Sequence, residues 1–428
     1  MTTGVTPQTR KGKEHVSKVI PFPLVATSRS LALAANTQTG SATSQVTVEC
    51  VQTTVALELV AEEWGQLFHR SGCRNAFLSY EWMSSWWRHW GDSHRLLVLL
   101  VRDREGRLVA VAPFYLRRSC LGAFGPRALC FIGTQWVGSD HLDLLVAPDY
   151  EEAAIEAIVG AVRAQRDDWG YIELADGAED SPVFSRLRLA FKDACMTEQF
   201  VHEVACPFLP LPTSFEDLLA GLGSNQRYNF RRRRRALERE AGMVFRAIQG
   251  GPELYDRFAD VVRLHRLRFD HQHKNTFFPT AAIQSFHAEA LQQLEAGGMA
   301  HVFVLESKGK AIAALYGFSV GKTFTFYQCG MDPAWSRLSV GLVMMGCALE
   351  EAIRTGHDEF DFLRGDEAYK FQWTKKARRG ITVRFFDRRI RSQWARPYTW
   401  ARDGIKQAIP RHLLPLLGRW RFGIATQI

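Results

Sequence analysis

The stretch HDEFDFLRGDEAYKFQWTKKARRG, from His357 to Gly380, has the densest set of chemically informative residues in the chain. It begins as a short apolar strand that ends at Gly365. Alternate side chains of a strand lie on opposite faces, so Phe360 and Phe362 share one face and Asp361 lies on the other. If the face of Asp361 lines a cleft, partial burial is expected to raise the pKa of this carboxyl into a range useful for proton transfer.

The elements that precede this stretch follow a regular order. HVFVLESKGKAIAALYGFSV (301–320) is a predicted hairpin, TFTFYQCGMDP (323–333) a strand that ends in a turn, and SVGLVMMGCALEEAIRTG (339–356) a helix. A helix that is entered directly from a strand presents free N–H groups in its first turn, and these can hold a phosphate. The pattern predicts a mixed α+β unit.

An earlier part of the chain repeats this order. Gly106 in EGRLVAVAPFY matches Gly309 in KGKAIAALYGF, and YIELADG ending at Gly177 matches FDFLRG ending at Gly365. Chance similarity of two α/β segments is the alternative, but repetition of a whole domain explains both matches. The predicted organisation is a disordered leader (1–45), a first half (46–205), a second half (206–395) and a basic, proline-broken tail (396–428). The first half lacks the Tyr, Lys and Trp of the second and is expected to be non-catalytic.

The second half carries two spaced motifs, DP…S-x-G and DF-x-x-G-x-E-x-Y-K-x-x-W. Their residues are Asp332, Pro333, Ser339, Gly341, Asp361, Phe362, Gly365, Glu367, Tyr369, Lys370 and Trp373. This text resembles the BioF2-like acetyltransferase domain family of the GNAT superfamily, which includes CelD-type cellulose-biosynthesis proteins and is distantly similar to Fem-type aminoacyltransferases. The resemblance is strong over 205–390. It implies an α+β fold with two tandem acyl-CoA N-acyltransferase (GNAT-like) domains, in which helices flank mixed sheets.

The resemblance also implies a place for the acyl donor, acetyl-CoA or another acyl-CoA. The cofactor-binding candidates are the consecutive residues Arg337, Leu338, Ser339, Val340 and Gly341. Glycine lets the backbone approach a phosphate closely, and an arginine adds positive charge. An ordinary helix start with Ser339 as N-cap is the alternative.

Proton transfer needs a group that can take a proton from the attacking amine. The catalytic candidates are Asp361 and Glu367, with Tyr327 and Tyr369 as phenolic alternatives. The alternative for Asp361 is a salt bridge to Arg364 or Lys370 that only shapes the fold. Those two cations, with Trp373, are predicted to bind an anionic acceptor or phosphate, because each is charged at neutral pH.

The run RYNFRRRRRALERE (227–240) lies near the start of the second half, at the family's position for a basic helix. At about 100° per residue, five consecutive arginines cannot share one helix face. With Phe230 and Leu237 as the buried seam, Arg233 and Arg234 flank it. The outward patch is then Arg231, Arg232, Arg235 and Arg239 with Tyr228. A solvated face is one interpretation. Anion binding through Arg231 and Arg235 is the second, and no DNA is expected as a partner.

Bulk composition limits the classes of function. The net charge is +9, and the region from 374 to 428 is strongly basic. No run of 18 apolar residues occurs, so no transmembrane helix is predicted. The eight cysteines form no CxxC pair, which is typical of a reduced, cytoplasmic protein without a structural metal.

Three functions remain open at this level. The first is transfer of an acyl group from acyl-CoA to a small-molecule or glycan amine, linked through the resemblance to polysaccharide or envelope synthesis. The second is a Fem-like transfer from aminoacyl-tRNA. The third is a non-catalytic accessory protein whose tail contacts an anionic polymer or the inner membrane peripherally. Pro397, Pro410 and Pro415 are expected to prevent one long amphipathic helix in that tail.

Overall fold

The computed structural model describes residues 46–122, 124–274 and 276–408, with the side chains of the last three residues left out. These residues belong to one compact unit. The leader expected over 1–45 and the tail from 409 onward lie outside the described residues. No described helix is long and apolar enough to cross a membrane.

Thirteen strands form a single mixed sheet in this part of the chain. They are β1 (Thr47–Val51), β2 (Arg95–Arg102), β3 (Leu108–Arg117), β4 (Ala128–Phe131), β5 (Leu145–Val146), β6 (Tyr171–Ala178), β7 (Thr197–Pro210), β8 (Val244–Ile248), β9 (Ala300–Ser307), β10 (Lys310–Val320), β11 (Thr323–Met331), β12 (Glu359–Asp361) and β13 (Ala377–Phe386).

Helices cover both faces of the sheet. They are α1 (Thr54–Leu59), α2 (Ala61–Arg70), α3 (Tyr80–Trp90), α4 (Glu151–Ala164), α5 (Pro182–Asp193), α6 (Phe215–Gly221), α7 (Ser224–Ala241), α8 (Pro252–His271), α9 (Ala281–Ala296), α10 (Val340–Arg354) and α11 (Ile390–Ala408).

The strand order shows two equivalent blocks. β1-β2-β3-β4 and β8-β9-β10-β11 are antiparallel, and each block then adds a parallel strand, β6 beside β4 and β12 beside β11. At the centre the two blocks exchange their last strands. β7 pairs with β12 of the second block, β13 pairs with β6 of the first, and β7 and β13 pair with each other. The predicted tandem α+β fold is therefore confirmed, and the predicted boundary at 205/206 lies within β7.

The two faces of the second block pack against different helices. Phe324 and Phe326 of β11 join Phe360 and Phe362 in a core with α6, α7 and α10. Tyr327 points to the opposite face and joins the core of α8, α9 and the first block. Alternation along β11 and β12 thus separates an aromatic face from the face that carries Asp361, as predicted.

The arginine-rich helix α7 is anchored by its few apolar residues. Phe230 and Leu237 are buried, as the sequence predicted, and Phe230 packs so closely on α10 that only glycine fits at 346. Gly223 is the N-cap, and the Gln226 side chain accepts a hydrogen bond from its N–H at 3.3 Å. The register of the arginines is therefore set by two apolar residues spaced seven apart.

Helix α11 differs from the expectation for the tail. Pro397 lies inside it, and the helix continues to Ala408. Proline has no N–H, so the helix lacks the hydrogen bond from position 397 to the carbonyl of Gln393. Gln393 is exposed, so water can donate to this carbonyl instead. The helix persists because its inner face is fixed to the sheet by Ala395, Thr399 and Arg402, which are buried.

Candidate active site

β11 and β12 separate beyond Asp361, and the gap between their diverging ends is named the cleft. The two strands pair only from Thr323 opposite Glu359 to Thr325 opposite Asp361. Beyond Asp361 the chain follows β7 instead, with the Phe362 N–H donating to the carbonyl of Pro207 and the Gly365 N–H to that of Ala205, both at 2.9 Å. β11 continues to Met331 paired with β10 on one edge, and its other edge faces the cleft.

Helix α10 begins at the open end of this cleft. Ser339, in the left-handed conformation at φ 55°, occupies the N-cap position, but its side chain makes no capping hydrogen bond. A side chain at Gly341 would come within 2.9 Å of the sulfur of Met331 at the end of β11. The first turn of α10 therefore lies beside the cleft with no side chain capping its N–H groups.

Two arginines lie beside the first turn of α10. Arg337 is exposed, and its carbonyl accepts a hydrogen bond from Nη1 of Arg233 at 2.7 Å. Arg233 comes from the arginine-rich helix, so α7 supplies one cation to the start of α10.

Of the two arginines that the sequence proposed from this helix, Arg231 is paired with Glu216 and Arg235 is exposed. The structure does not bring either of them to Arg337.

Asp361 lies at the closed end of the cleft, where β11 and β12 diverge. It accepts hydrogen bonds from the Leu363 N–H at 2.8 Å and from Nε2 of His141 at 3.0 Å, and Nη1 of Arg378 is 3.7 Å away. Burial opposes ionisation of this carboxyl, but His141 and the other partners outweigh burial and lower its pKa. The expected rise in pKa is therefore wrong, and neither Arg364 nor Lys370 is its partner.

His141 is the residue that sequence reasoning missed. It comes from the first half and its side chain is 14% exposed, but its Nδ1 is buried and has no hydrogen-bond partner among the described residues. Burial lowers its pKa, but the charge of Asp361 and their hydrogen bond reverse the shift and raise it. His141 has a φ of 56°, in a loop whose residues 133, 135, 136 and 138 also have positive φ. Backbone strain of this kind is enriched at functional sites. No pattern in the sequence predicted the strained loop.

Asn75 fixes this loop from the first-half side. Its Nδ2 donates to the carbonyls of Asp140 and His141 at 3.0 and 2.9 Å. From the second half, Tyr327 donates its hydroxyl to the carbonyl of Val137. Burial raises the pKa of Tyr327 well above its ordinary value, so this phenol is a neutral donor in the structure.

Arg364 ties the same loop to the second half. Its backbone N–H donates to Asp140 at 2.8 Å, and its guanidinium contacts Asp140, the carbonyl of Ser139 and, at 3.2 Å, Asp176. The charge of this partly buried arginine is thus matched by two carboxylates of the first half. The contacts make Arg364 a bridge between the halves.

The motif after Gly365 closes one side of the cleft. Lys370 is buried, donates to the carbonyls of Leu363 and Arg364, and pairs with Glu367 at 2.9 Å. The ring of Tyr369 lies 6.5 Å from Phe326 of β11, and burial raises its pKa well above the ordinary value. Trp373 packs edge-on against Phe230 of α7 at 5.6 Å. Lys370 and Trp373 therefore hold the segment in place, and Glu367 remains the more exposed of the acidic candidates.

The sequence of the second half matches a known domain. Residues 224–371 match the family model described as an acetyltransferase (GNAT) domain. The second half has a GNAT-like fold. The match runs from α7 through the cleft to Phe371, and it leaves out the half that contributes His141. The matching model describes GNAT acetyltransferase domains in general and not the narrower BioF2-like group.

Solved structures are similar to this chain over about three quarters of its length. The crystal structure of FemX aligns with a TM-score of 0.54 at 11% identity, covering 76% of this chain and 95% of that one. L-PGS from Bacillus licheniformis aligns at 0.48 and 12% identity, covering 77% and 92%. A tandem GNAT protein from the clavulanic acid biosynthesis pathway aligns at 0.41 and 14% identity, covering 79% and 98%. At these identities the similarity concerns the fold alone. No curated protein matches the sequence.

Proposed function

We propose that the protein transfers an acyl group from acyl-CoA to an amine, with the thioester in the cleft between β11 and β12. The observation that carries this proposal is the His141–Asp361 pair at the closed end of the cleft. Asp361 accepts a hydrogen bond from the Nε2–H of His141, which leaves the lone pair on Nδ1, and Nδ1 has no other partner among the described residues. A histidine held in one tautomer by a carboxylate is suited to general-base catalysis.

The proposed reaction uses His141 as its general base. The amine nitrogen attacks the thioester carbonyl and loses a proton to Nδ1 of His141, the carbon–nitrogen bond forms, and the carbon–sulfur bond breaks. The thiolate that leaves takes up a proton to give the free thiol. N–H groups on the unpaired edge of β11 are available as donors to the oxyanion. In this scheme Asp361 orients the base instead of acting as the base.

The phosphates of the donor would lie at the other end of the cleft. Met331 is six positions after Thr325, which corresponds to about 20 Å of extended strand. The uncapped first turn of α10, with Arg233 and Arg337 beside it, offers N–H groups and two cations to a pyrophosphate. The acceptor is proposed to be a small-molecule or glycan amine, in line with the sequence resemblance to polysaccharide-biosynthesis proteins.

Titration calorimetry with coenzyme A tests the donor assignment. Arg233→Ala and Arg337→Ala should each weaken binding about 10- to 100-fold, the usual effect of losing one charged hydrogen bond. Arg239→Ala is the matched control, because Arg239 is exposed on the same helix. If coenzyme A does not bind and aminoacyl-tRNA binds in a salt-sensitive way, the acyl donor is aminoacyl-tRNA, as in the Fem-like alternative.

A further inference from the structure

Helix α11 carries its polar and apolar residues on the opposite sides from those of an ordinary surface helix. Ser392, Thr399 and Arg402 face the protein and are buried. Ile390, Trp394 and Trp400 are 77%, 71% and 80% exposed. A helix on the surface of a globular protein normally turns its apolar stripe inward.

The orientation of α11 is fixed by its inner face. Arg402 donates to Glu173 at 2.7 Å and to the hydroxyl of Tyr171 at 2.8 Å. The same carboxylate accepts from Arg384 and pairs with Arg117, each at 2.7 Å. Rotating the helix to cover its tryptophans would remove one partner from a fully buried charge cluster, which is a strongly unfavourable change. The apolar side therefore remains outward.

The outward residues form a continuous stripe. Ile390, Trp394, Pro397, Ala401 and Ile405 follow spacings of four, three, four and four, which keep them on one helix face. Trp400 lies next to this line, and the stripe is about 22 Å long at 1.5 Å per residue. An exposed apolar surface of this extent marks an interaction site.

Positive charge borders the stripe on both sides. Arg391 and Arg396 are exposed, and neither has a carboxylate partner in the described part of the chain. From 388 to 428 the sequence has nine lysines and arginines and one acid, Asp403, and the segment after α11 adds Trp420 between two arginines. Pairing this face with a second copy would bring these like charges together, whereas anionic phosphates would neutralise them.

We propose that α11 docks the protein on an anionic phospholipid surface, lying parallel to it with the stripe between the headgroups. Tryptophan is favoured at the boundary between headgroups and acyl chains, and arginines reach lipid phosphates from the rim. Helices that bind in this way combine an apolar face with flanking cations and do not span the bilayer. The surface is independent of the acyl-transfer cleft and does not rest on the function proposed for it.

Co-sedimentation of the full chain with vesicles tests the proposal. The protein should pellet with equimolar phosphatidylcholine and phosphatidylglycerol and stay in solution with phosphatidylcholine alone. Trp394→Ala combined with Trp400→Ala should weaken binding by about 30-fold, because two large apolar side chains lose their burial in the interface. Arg391→Gln combined with Arg396→Gln should lower binding by a similar factor and make it less sensitive to salt.

The control variant combines Leu59→Ala and Phe124→Ala, which removes two exposed apolar side chains far from α11 in sequence. Light scattering and thermal melting verify that each variant remains folded and report its mass. Equal pelleting of wild type and the tryptophan variant would overturn the proposal. So would a wild-type dimer that the tryptophan variant dissociates, since that result assigns the stripe to a second copy.

Discussion

Asp361→Asn probes the His141–Asp361 pair with the smallest change in shape. The asparagine Oδ1 can still accept from the Leu363 N–H, which Asp361 binds at 2.8 Å. Its amide then faces Nε2 of His141, where the carboxylate oxygen lay at 3.0 Å. An N–H donor at this place favours the tautomer with the proton on Nδ1, so the base loses the lone pair that it needs.

The size of the effect follows from that loss. General-base catalysis contributes about 10²- to 10⁴-fold in rate, so kcat should fall by a factor in this range. The charge of Asp361 raises the pKa of His141, and without it the pKa falls. Since the base must be deprotonated, the acid limb of the residual kcat/KM profile should move to lower pH. Coenzyme A affinity should not change, because its phosphates are proposed to bind about 20 Å away.

Steady-state acyl transfer from acetyl-CoA across a pH series, with calorimetry of coenzyme A binding, measures both effects. Asp358→Asn is the matched control, since Asp358 lies three residues earlier and pairs with Arg74 at 2.8 Å on the surface. If His141 and Asp361 act as one unit, the double variant with His141→Asn should be no slower than the slower single variant. Wild-type kcat in Asp361→Asn, or an unchanged acid limb, would refute the reasoning.

Three further predictions concern stability, each measured by urea unfolding. Glu173→Ala leaves three buried guanidinium groups without their shared carboxylate and should cost about 3–5 kcal/mol; a cost near that of a surface substitution would contradict the network. Gly330→Ala places a methyl 2.1 Å from the backbone nitrogen of His265, so α8 must shift at a cost of about 1–3 kcal/mol, and an unchanged midpoint would show that the contact is not tight. Burial raises the pKa of Asp143 to about 7, so the folded state holds its proton more firmly than the unfolded chain. Stability should therefore fall by up to about 4 kcal/mol as pH rises from about 4 to about 7, and Asp143→Asn should remove most of that dependence.

Much of the fold was predictable because it is encoded locally. The hairpin turn at Lys308–Gly309, the alternation around Asp361 and the helix after Ser339 all follow from short-range periodicity. The buried seam of α7 followed from Phe230 and Leu237 alone. These features depend on residues that are neighbours along one element, so one sequence suffices to find them.

The site was predictable only in part, because its groups come together from distant positions. The cleft and the place of Asp361 followed from the motif, but the direction of its pKa shift depends on His141, which lies 220 residues earlier. Lys370 and Arg364 looked like free cations in the sequence, yet the structure surrounds them with carbonyls and first-half carboxylates. Partners supplied by another half of the chain leave no periodic signal near the residue they affect.

The sequence by itself determined the elements of two similar α+β halves, the basic helix and the motif that ends the cleft, because hydrophobic periodicity and turn residues act over a few positions. Tertiary structure alone decided that β7 and β13 are exchanged, that His141 meets Asp361, and that α11 turns its tryptophans outward. The physical reason is the same in each case. Sheet pairing and buried charge matching join residues that are far apart in the chain, and their energies depend on the assembled surroundings and not on local sequence.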